Sequence, residues 1–366
     1  MTDIIAPESP PRRVIIGVDT HKHVHVAVAV DTFGVRLDNR SFPADSHGYA
    51  DLVGWAEATG RVEAFGIEGT GSYGAGLTSV VRRGGHRVVE VNRGDRRSRR
   101  ANGKSDTLDA EAAARSVLAG TSLAVPKTAD GQVEMIRQVK IARDTAVKAR
   151  TSAMITLKQL VVNAPAELRE QLDPLADKAL LDRCASLRPG TITDTTASAK
   201  HVLRAMAKRW LTLHAEISDH DRILNELTAQ IAPSLRDGFG IGPDTAAELL
   251  IIFGDNPERV RSEAAFAKLC GACPIPASSG MTSGRHRLYR GGHRQANAAL
   301  YRSVIVRMRF HQPTMDYVAR RTADGLPKKE IIRCLKRYLA REVYQRVMTD
   351  VRARQGAGGT RAFAPS

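Results

Sequence analysis

The stretch RVIIGVDTHKHVHVAVAVDTFGVRLDNRSF, residues 13–42, decides the fold of the N-terminal part of the chain. It contains three β-rich runs, at 13–19, at 23–30 with apolar residues in every second position, and at 35–42. The connections between these runs are only a few residues long, which is too short for a helical crossover. We therefore predict three consecutive antiparallel strands.

Beyond residue 42 the pattern changes to alternating helices and strands. Helices are predicted at 47–59, 74–83 and 107–118, and strands at 62–68 and 86–91. Three antiparallel strands followed by alternating helix and strand is the order of a ribonuclease-H-like (RuvC-like) α/β fold. The rest of the chain reads as mainly helical, so the fold class predicted for the whole chain is α/β plus all-α.

Two long helical patterns, at about 130–163 and 199–232, follow the α/β part. They predict an antiparallel helical hairpin of coiled-coil type, which either serves dimerisation or forms an ordinary helical core. After it comes a helical block with Gly-rich turns. The predicted domain limits are a flexible tail at 1–12, the α/β domain at 13–125, the helical hairpin at 126–235, a C-terminal domain at 236–346 and a flexible tail at 347–366.

The 366 residues carry 55 Lys and Arg against 39 Asp and Glu, a net charge of +16. Residues 285–341 hold 15 basic and 3 acidic residues, and residues 93–104 hold 6 and 1. A local excess of this size points to a polyanionic partner. In the smaller patch the predicted nucleic-acid ligands are Arg96, Arg97, Arg99, Arg100 and Lys104.

Several classes of protein are disfavoured by composition. No apolar run approaches the roughly 18 residues that a membrane span requires, and the N-terminus has no hydrophobic signal core. The four cysteines are too few and too unevenly spaced for a disulfide framework. We expect a cytoplasmic, nucleoid-associated protein without a membrane partner.

Four acidic side chains are candidates for a metal site. Asp19 lies at the end of the first strand, and Glu68 is the last residue of the strand at 62–68. Asp106 and Asp109 lie three residues apart, a spacing that places both on one face of a helix. Two-metal phosphoryl chemistry needs such a set of convergent carboxylates, because Mg²⁺ prefers their oxygens. Singly, each acid is better explained as a helix cap, a turn residue or a paired surface acid, but their joint placement at two strand ends and one helix is hard to attribute to chance.

The segment from Gly69 to Gly74 has the spacing G-x-G-x-x-G between a strand and a helix, and Glu90 follows at about the distance of a ribose-binding acid. This pattern makes an NAD(P)-binding oxidoreductase an alternative. However, the strand is the fourth in its block instead of the first, and Glu68 would face the pyrophosphate. The glycines fit better as a tight turn behind Glu68.

The C-terminal block offers two candidate nucleic-acid contacts. The segment GFGIGP at 238–243 resembles a helix-hairpin-helix turn, in which the backbone at Gly240 and Gly242 contacts phosphates. Downstream, a loop with several serines is followed at once by arginines that could clamp a phosphate. The arginines are Arg285, Arg287, Arg290 and Arg294.

Two plainer interpretations concern the same block. Cys270, Cys273, His286 and His293 come near a zinc-finger spacing, but the last gap is too long and no finger pattern lies between them. The cysteines are better explained as small core residues. The basic run 285–341 could be an ordinary solvated helical face, although a surplus of +12 is costly unless phosphates neutralise it.

Several sequence blocks, in order, resemble those of the DEDD transposases of the insertion-sequence family IS110, which are related to the Piv and MooV invertases. The resemblance covers about residues 13–345. The blocks are GVDTHK (17–22), IEGTGSYG (67–74), KSDTLDAEAAA (104–114), GFGIGPDTAAELL (238–250), AAFAKLCGACPIPASSG (264–280) and RGGHRQANAALY (290–301).

The resemblance implies an activity and a set of site residues. The family's D-E-D-D set maps onto Asp19, Glu68, Asp106 and Asp109, and its nucleophilic serine maps onto Ser279, with Ser278 as a second candidate. It implies cleavage and rejoining of donor and target DNA through a covalent phosphoserine, with Mg²⁺ or Mn²⁺ at the acidic site. It also implies a structured non-coding bridge RNA as guide, and a homo-oligomer, dimer or tetramer, that joins the acidic site of one protomer to the serine of another.

Three other functions remain open at this point. A metal-dependent nuclease or junction resolvase would use the acids without a serine nucleophile. An NAD(P)-binding oxidoreductase would use the turn at Gly69 to Gly74. A non-catalytic nucleic-acid-binding protein would need neither.

Overall fold

The computed structural model describes residues 12–91, 105–122, 124–276, 286–289 and 291–359. The chain divides into two compact units, one up to residue 129 and one from residue 130 onwards. The first is α/β and the second is mainly helical. In the described part of the chain, no helix is long and apolar enough to cross a membrane.

The first unit contains a five-stranded sheet with the order β3-β2-β1-β4-β5. Strand β2 runs antiparallel to both β1 and β3, whereas β1, β4 and β5 run parallel to one another. The three predicted antiparallel strands are confirmed, and the arrangement is consistent with the ribonuclease-H-like order. The strands are β1 Arg13–Thr20, β2 Val24–Asp31, β3 Arg36–Pro43, β4 Arg61–Glu68 and β5 Val88–Val91.

Among the described residues, three helices flank this sheet, α1 Ser46–Thr59, α2 Ala75–Arg83 and α3 Asp106–Leu118. Strand β1 is buried on both faces, so its residues alternate between two cores. Ile16 packs in one core with Leu52 of α1 and Leu77 of α2. Ile15 packs in the other core with the alanines of α3. The face that carries Ile15 is therefore the face that α3 covers.

Two glycines allow α3 to lie directly on the sheet. Gly17 of β1 and Gly66 of β4 are neighbours in the parallel register. A Cβ at Gly17 would overlap the backbone oxygen of Ala110, and a Cβ at Gly66 would lie 2.7 Å from a methyl group of Val117. Only hydrogen at these two positions, together with an alanine-rich helix face, permits so close an approach.

The second unit begins with two long helices, α4 Gln132–Val162 and α7 Thr195–Ile231. Arg143 bonds Asp221, and Arg150 bonds His214 one heptad later. Since residue numbers rise along one helix as they fall along the other, the pair is antiparallel, as the sequence predicts. Two short helices lie between them, α5 Ala166–Leu172 and α6 Asp177–Ala185.

The remaining helices follow in the order α8 Pro233–Arg236, α9 Pro243–Phe253, α10 Glu263–Leu269, α11 Arg294–Phe310, α12 Gln312–Ala323 and α13 Lys328–Gly359. The last of these corrects the tail predicted at 347–366. Residues up to 359 continue α13, because Val347 and Val351 pack in the core. The carboxylate of Asp350 also accepts hydrogen bonds from the backbone N–H groups of Ser234 and Leu235, at the start of α8.

A short hairpin interrupts the helices of this unit, formed by β6 Pro274–Pro276 and β7 His286–Leu288. The sequence pattern of this block predicts helices with Gly-rich turns and neither of the two strands. Three-residue strands are too short to give a periodic pattern, and β6 contains two prolines that argue against a strand. The segment 277–285, which connects the two strands, lies outside the described residues.

Candidate metal centre and nucleic-acid-binding region

Asp19 and Glu68 lie at the carboxyl ends of the adjacent parallel strands β1 and β4. Side chains alternate along a strand, so Asp19 lies on the same face as Gly17, and Glu68 on the same face as Gly66. That is the face covered by α3. Both acids are buried, with 7% of each residue exposed. The sheet thus places two carboxylates side by side under the start of α3.

Helix α3 brings the other two acids to this edge. It begins at Asp106, and the N–H of Asp109 bonds the carbonyl oxygen of Ser105 in its first turn. Because the alanine face of α3 is fixed against the glycines, its first turn lies over the end of β1. The free N–H groups of a helix start also favour negative charge there.

A histidine that sequence reasoning missed completes the cluster. His21 Nε2 lies 3.1 Å from Oδ2 of Asp19 and 3.4 Å from Oδ1 of Asp106. One ligand atom from each of these three residues lies within 4.8 Å of the others, which is a geometry that could hold a metal ion. The sequence signal that could have identified His21 is its position two residues after Asp19, directly after the end of β1.

The environment of Asp19 favours bound positive charge. Burial raises the pKa of its carboxyl group, and the negative charges of Asp109 and Asp106 raise it further, against the opposing effect of His21. Crowded carboxylates of this kind repel one another unless a cation lies among them. Carboxylate oxygens suit Mg²⁺ and Mn²⁺, and an imidazole nitrogen is tolerated by Mn²⁺. The residues present therefore fit a divalent metal.

The glycine-rich segment behind Glu68 forms a tight turn. Gly69 has a φ of 62°, and its carbonyl oxygen accepts from the N–H groups of Ser72 and Gly74. Thr20 Oγ1 donates to the carbonyl oxygen of Glu68 at 2.9 Å, which ties the turn to the end of β1. These glycines hold Glu68 at the acidic edge, so the NAD(P)-binding alternative is not favoured.

The segment 238–243 forms the turn between α8 and α9, with Gly242 as the N-cap of α9. Gly240 lies against helix α11, where a Cβ would meet the backbone oxygen of Ser303 at 3.3 Å. Arg307 of α11 donates to the carbonyl oxygen of Phe239 at 2.8 Å. Packing of Gly240 against α11 and the hydrogen bond from Arg307 thus hold the turn in place.

Two family models of transposases match this chain. One, for DEDD transposases of the IS110 type and described as "Transposase", covers residues 16–164, and the other, "Transposase IS116/IS110/IS902 family", covers residues 232–319. The chain is also 24% identical over 375 residues to the insertion element IS116 uncharacterized 44.8 kDa protein of Streptomyces clavuligerus, across 89% of this chain and 92% of that protein. The chain belongs to the IS110 family of transposases.

The match to a second relative covers a smaller part of this transposase. The insertion element IS900 uncharacterized 42 kDa protein of Mycobacterium paratuberculosis is 28% identical over 144 residues, which is 38% of this chain and 35% of that protein. Membership of a transposase family makes DNA the substrate class and strand transfer the general activity. The family also suggests use of a divalent metal, for which the cluster at Asp19 is the fitting place.

The basic run of the transposase, 285–341, contains arginines of two kinds. Arg307 is 9% exposed and forms a two-bond pair with Glu342. Arg302 pairs with Asp244, and Arg341 with Glu263. These arginines are held by acids from other elements, so the surplus charge is less isolated than its +12 suggests. Arg287 and Arg294 are exposed.

Several predicted site residues of the transposase lie outside the described residues. They are Ser278, Ser279, Arg285, Arg290, Arg96, Arg97, Arg99, Arg100 and Lys104. The described residues do locate the chain on both sides of the serine loop, because β6 ends at Pro276 and β7 begins at His286.

The zinc alternative receives no support within the described part of the transposase. Cys270, Cys273, His286 and His293 form no metal-ligand group there. Burial raises the pKa of the Cys270 thiol to about 12, and the charge of Glu248 adds to this. A thiol of that kind stays protonated and behaves as an apolar core residue.

Proposed function

We propose that this transposase cleaves and rejoins DNA strands during transposition of its insertion element, with a divalent metal held by Asp19, Glu68, Asp106 and Asp109. The observation that supports the proposal is the cluster at the end of β1, where ligand atoms of Asp19, His21 and Asp106 lie within 4.8 Å of one another, with Glu68 at the end of the adjacent strand β4 and Asp109 in the first turn of α3. The four acids come from two parallel strand ends and from a helix seated on glycines.

The four carboxylates would hold Mg²⁺ or Mn²⁺. When bound, the metal supplies positive charge that polarises a phosphate and offsets the charge developing on it. Within the chain, Asp19 and Glu68 are the buried members, and His21 contacts the carboxylate of Asp19. Asp106 is half exposed on the helix and is accessible to an incoming DNA strand.

Ser279 is the proposed nucleophile, with Ser278 as the second candidate. Its hydroxyl oxygen attacks the phosphorus, the hydroxyl proton leaves to a base, and the bond from phosphorus to the sugar oxygen breaks as that oxygen takes up a proton. The product is a covalent phosphoserine. Because one phosphoester bond replaces another, a free sugar hydroxyl can attack the phosphoserine and restore a DNA strand without ATP.

The nucleic-acid surface is proposed to include the turn at Gly240 and Gly242 and the exposed Arg287 and Arg294. Arg96, Arg97, Arg99, Arg100, Lys104, Arg285 and Arg290 belong to the same proposal. A structured bridge RNA would choose donor and target DNA. A dimer or tetramer would bring the acidic site of one protomer to the serine of another, with the functional parts at 13–125, 126–235 and 236–346.

The test is to trap the covalent adduct. Full-length protein is incubated with labelled element-end DNA and Mn²⁺, with and without the non-coding RNA of the element, and denatured adduct is quantified. Ser279→Ala should abolish both adduct and cleavage, whereas Ser278→Ala should retain them. Asp19→Asn should abolish adduct, and Asp51→Asn, an exposed acid of α1, should not.

The same assay separates the alternatives. Metal-dependent cleavage that persists in both serine variants would instead establish the nuclease or resolvase. Normal transposition by the Asp19→Asn variant would overturn the metal site altogether and leave a nucleic-acid-binding protein without its own chemistry.

A further inference from the structure

A lysine is buried in the second unit beside a neutral partner. Lys336 of α13 is 6% exposed, and its Nζ donates to Oδ1 of Asn297 at 2.9 Å. Among the described residues, no carboxylate forms an ion pair with it. Burial lowers the pKa of Lys336, and the positive charge of Arg333 lowers it further. An ammonium group in this position costs stability that an apolar side chain would not.

Asn297 of α11 links this lysine to a turn of the backbone. Its Nδ2 donates to the carbonyl oxygens of Cys270 at 2.9 Å and Gly271 at 3.0 Å. With Oδ1 accepting from Lys336, every hydrogen-bonding group of the amide is engaged. The lysine therefore fixes which way the amide faces, and the amide fixes the two carbonyl groups.

The turn at Cys270 and Gly271 forms the base of the β6–β7 hairpin. Gly271 has a φ of 62°, and Gly292, beyond the far end of β7, lies so close that a Cβ there would overlap the backbone N of Gly271. Two bonds close the same junction, from Tyr289 N–H to the Cys273 oxygen at 3.2 Å and from His293 N–H to the Leu269 oxygen at 2.6 Å. Both ends of the hairpin thus meet where Asn297 binds.

We propose that Lys336 and Asn297 are positioning residues for strand cleavage, which act by fixing the base of the hairpin whose connecting segment, 277–285, contains Ser279. The proposal rests on the proposed function, because it needs a nucleophile on that segment. Neither residue touches the DNA in this scheme. A rigid base matters because a nucleophile displaced by about 1 Å can lose about a hundredfold in rate.

A lysine at this position favours one orientation of the Asn297 side-chain amide. An apolar side chain at this position would pack well but leave Oδ1 of Asn297 without a donor, so that only the two bonds to the Cys270 and Gly271 oxygens would hold the amide. Rotation would point an oxygen at the carbonyl groups of Cys270 and Gly271, which repel it. The ammonium group excludes that rotamer at a cost in stability.

The experiment compares chemistry with binding in the full-length protein. Lys336→Met removes the donor and keeps the length of the side chain, Asn297→Asp removes the two N–H donors and keeps an acceptor for Lys336, and Lys329→Met is a matched control on an exposed part of the same helix. We expect the first two to lower the rate constant of adduct formation at saturating DNA by about tenfold or more. The DNA Kd should stay within about twofold, and the control should match wild type.

A rate constant distinguishes positioning from loss of fold, because partial unfolding lowers the amount of adduct but not the rate constant of the folded fraction. Lys336→Met and Asn297→Asp proteins that form adduct at the wild-type rate constant would overturn the inference, provided Ser279→Ala abolishes adduct in the same assay. Adduct that persists in both Ser279→Ala and Ser278→Ala would overturn the proposed function instead.

Discussion

Gly17 and Gly66 lie side by side on two parallel strands, and the backbone of helix α3 passes directly over both. This contact determines where the first turn of α3 lies, and therefore where Asp106 and Asp109 lie relative to Asp19. The acidic cluster thus depends on two residues that carry no functional group.

Gly17→Ala should separate the acids. The new Cβ would overlap the oxygen of Ala110 and lie 2.5 Å from the nitrogen of Ala114, so α3 must move away from β1. We expect a loss of about 1–3 kcal/mol in the free energy of unfolding and a larger loss of metal-dependent cleavage. Gly54→Ala is the control, since a Cβ at this exposed helical position meets nothing within 4 Å and should stabilise the protein by up to ~1 kcal/mol. Wild-type cleavage by Gly17→Ala would disprove that the acidic cluster depends on the close contact between Gly17 and α3.

His21→Ala should weaken metal binding without abolishing it. The imidazole contacts both Asp19 and Asp106, so its removal frees Asp19 to turn away. Calorimetric titration with Mn²⁺ should show a Kd raised about 10–100-fold, against no measurable binding for Asp19→Asn. His23→Ala, an exposed neighbour, is the matched control and should bind as wild type. Equal affinities for His21→Ala and His23→Ala would remove His21 from the site.

His25 should make the first unit sensitive to acid. Its ring is fully buried and stacked on Tyr49, with centroids 5.5 Å apart. Burial lowers the pKa of His25, and the charge of His21 lowers it further, against a backbone hydrogen bond that raises it. The folded state therefore stays neutral while the unfolded state takes up a proton below a pH of about 6.5, so stability falls as the pH falls.

His25→Phe keeps the stacked ring and removes this titration. In a Trp210→Phe background, where Trp55 is the remaining tryptophan, urea unfolding followed by fluorescence should show less loss of stability between pH 7.5 and 5.5 than the parent. If the two proteins lose the same free energy over that interval, His25 is not the group responsible.

Arg307→Met and Arg309→Met should have opposite consequences. Arg307 is buried against Glu342 and the turn at Phe239, so its removal should cost about 2–4 kcal/mol in unfolding free energy. Arg309, two residues later, is exposed, and its removal should leave stability unchanged while reducing the salt dependence of DNA binding by about one counterion. Denaturation measures the stability of each variant, and DNA binding at several salt concentrations measures its counterion release. Identical behaviour of the two variants would contradict a structural role for Arg307 and a DNA-binding role for Arg309.

Lys140→Met should destabilise the helical unit far more than Lys148→Met on the same helix. Lys140 is 5% exposed and contacts Asp244 at 2.8 Å, Asp144 at 3.0 Å and Glu248 at 3.4 Å, whereas Lys148 is exposed. We expect a loss of about 3 kcal/mol against less than about 0.5.

The pH dependence of that loss is a separate check. Burial raises the pKa of Asp244, but the hydrogen bond and charge of Lys140, together with the charges of Arg143 and Arg302, lower it by more, so the net shift is downward. Its contribution is therefore present above about pH 4 and disappears as the pH falls through the lowered pKa. The difference between Lys140→Met and wild type should shrink below pH 4; a constant difference would assign the effect to packing.

Much of the first unit was predictable, because its signals are local. Period-two alternation identified β2, and short connections made the first three strands antiparallel. The helix predicted at 107–118 begins one residue earlier, and the two long helical patterns correspond to α4 and α7. Asp19 and Glu68 could be chosen because strand ends at one edge of a parallel pair must be neighbours.

Other features escaped prediction because they depend on contacts between distant residues. His21 lies near Asp106 only once α3 is seated on the glycines. The end of α13 is helical because Asp350 caps a helix more than one hundred residues earlier in the chain. Strands β6 and β7 exist only as a pair, and neither has a pattern of its own.

By itself, the sequence determined the order of strands and helices, the positive charge and the four acids, because each of these follows from residue type and spacing within short stretches. Only the tertiary structure decided which residues meet: the glycines under α3, His21 beside Asp19, and Lys336 behind Asn297. The physical reason is that burial and hydrogen-bond partnership are properties of pairs distant in sequence. No local pattern distinguishes Arg307, which holds a turn in place, from Arg309, which faces solvent.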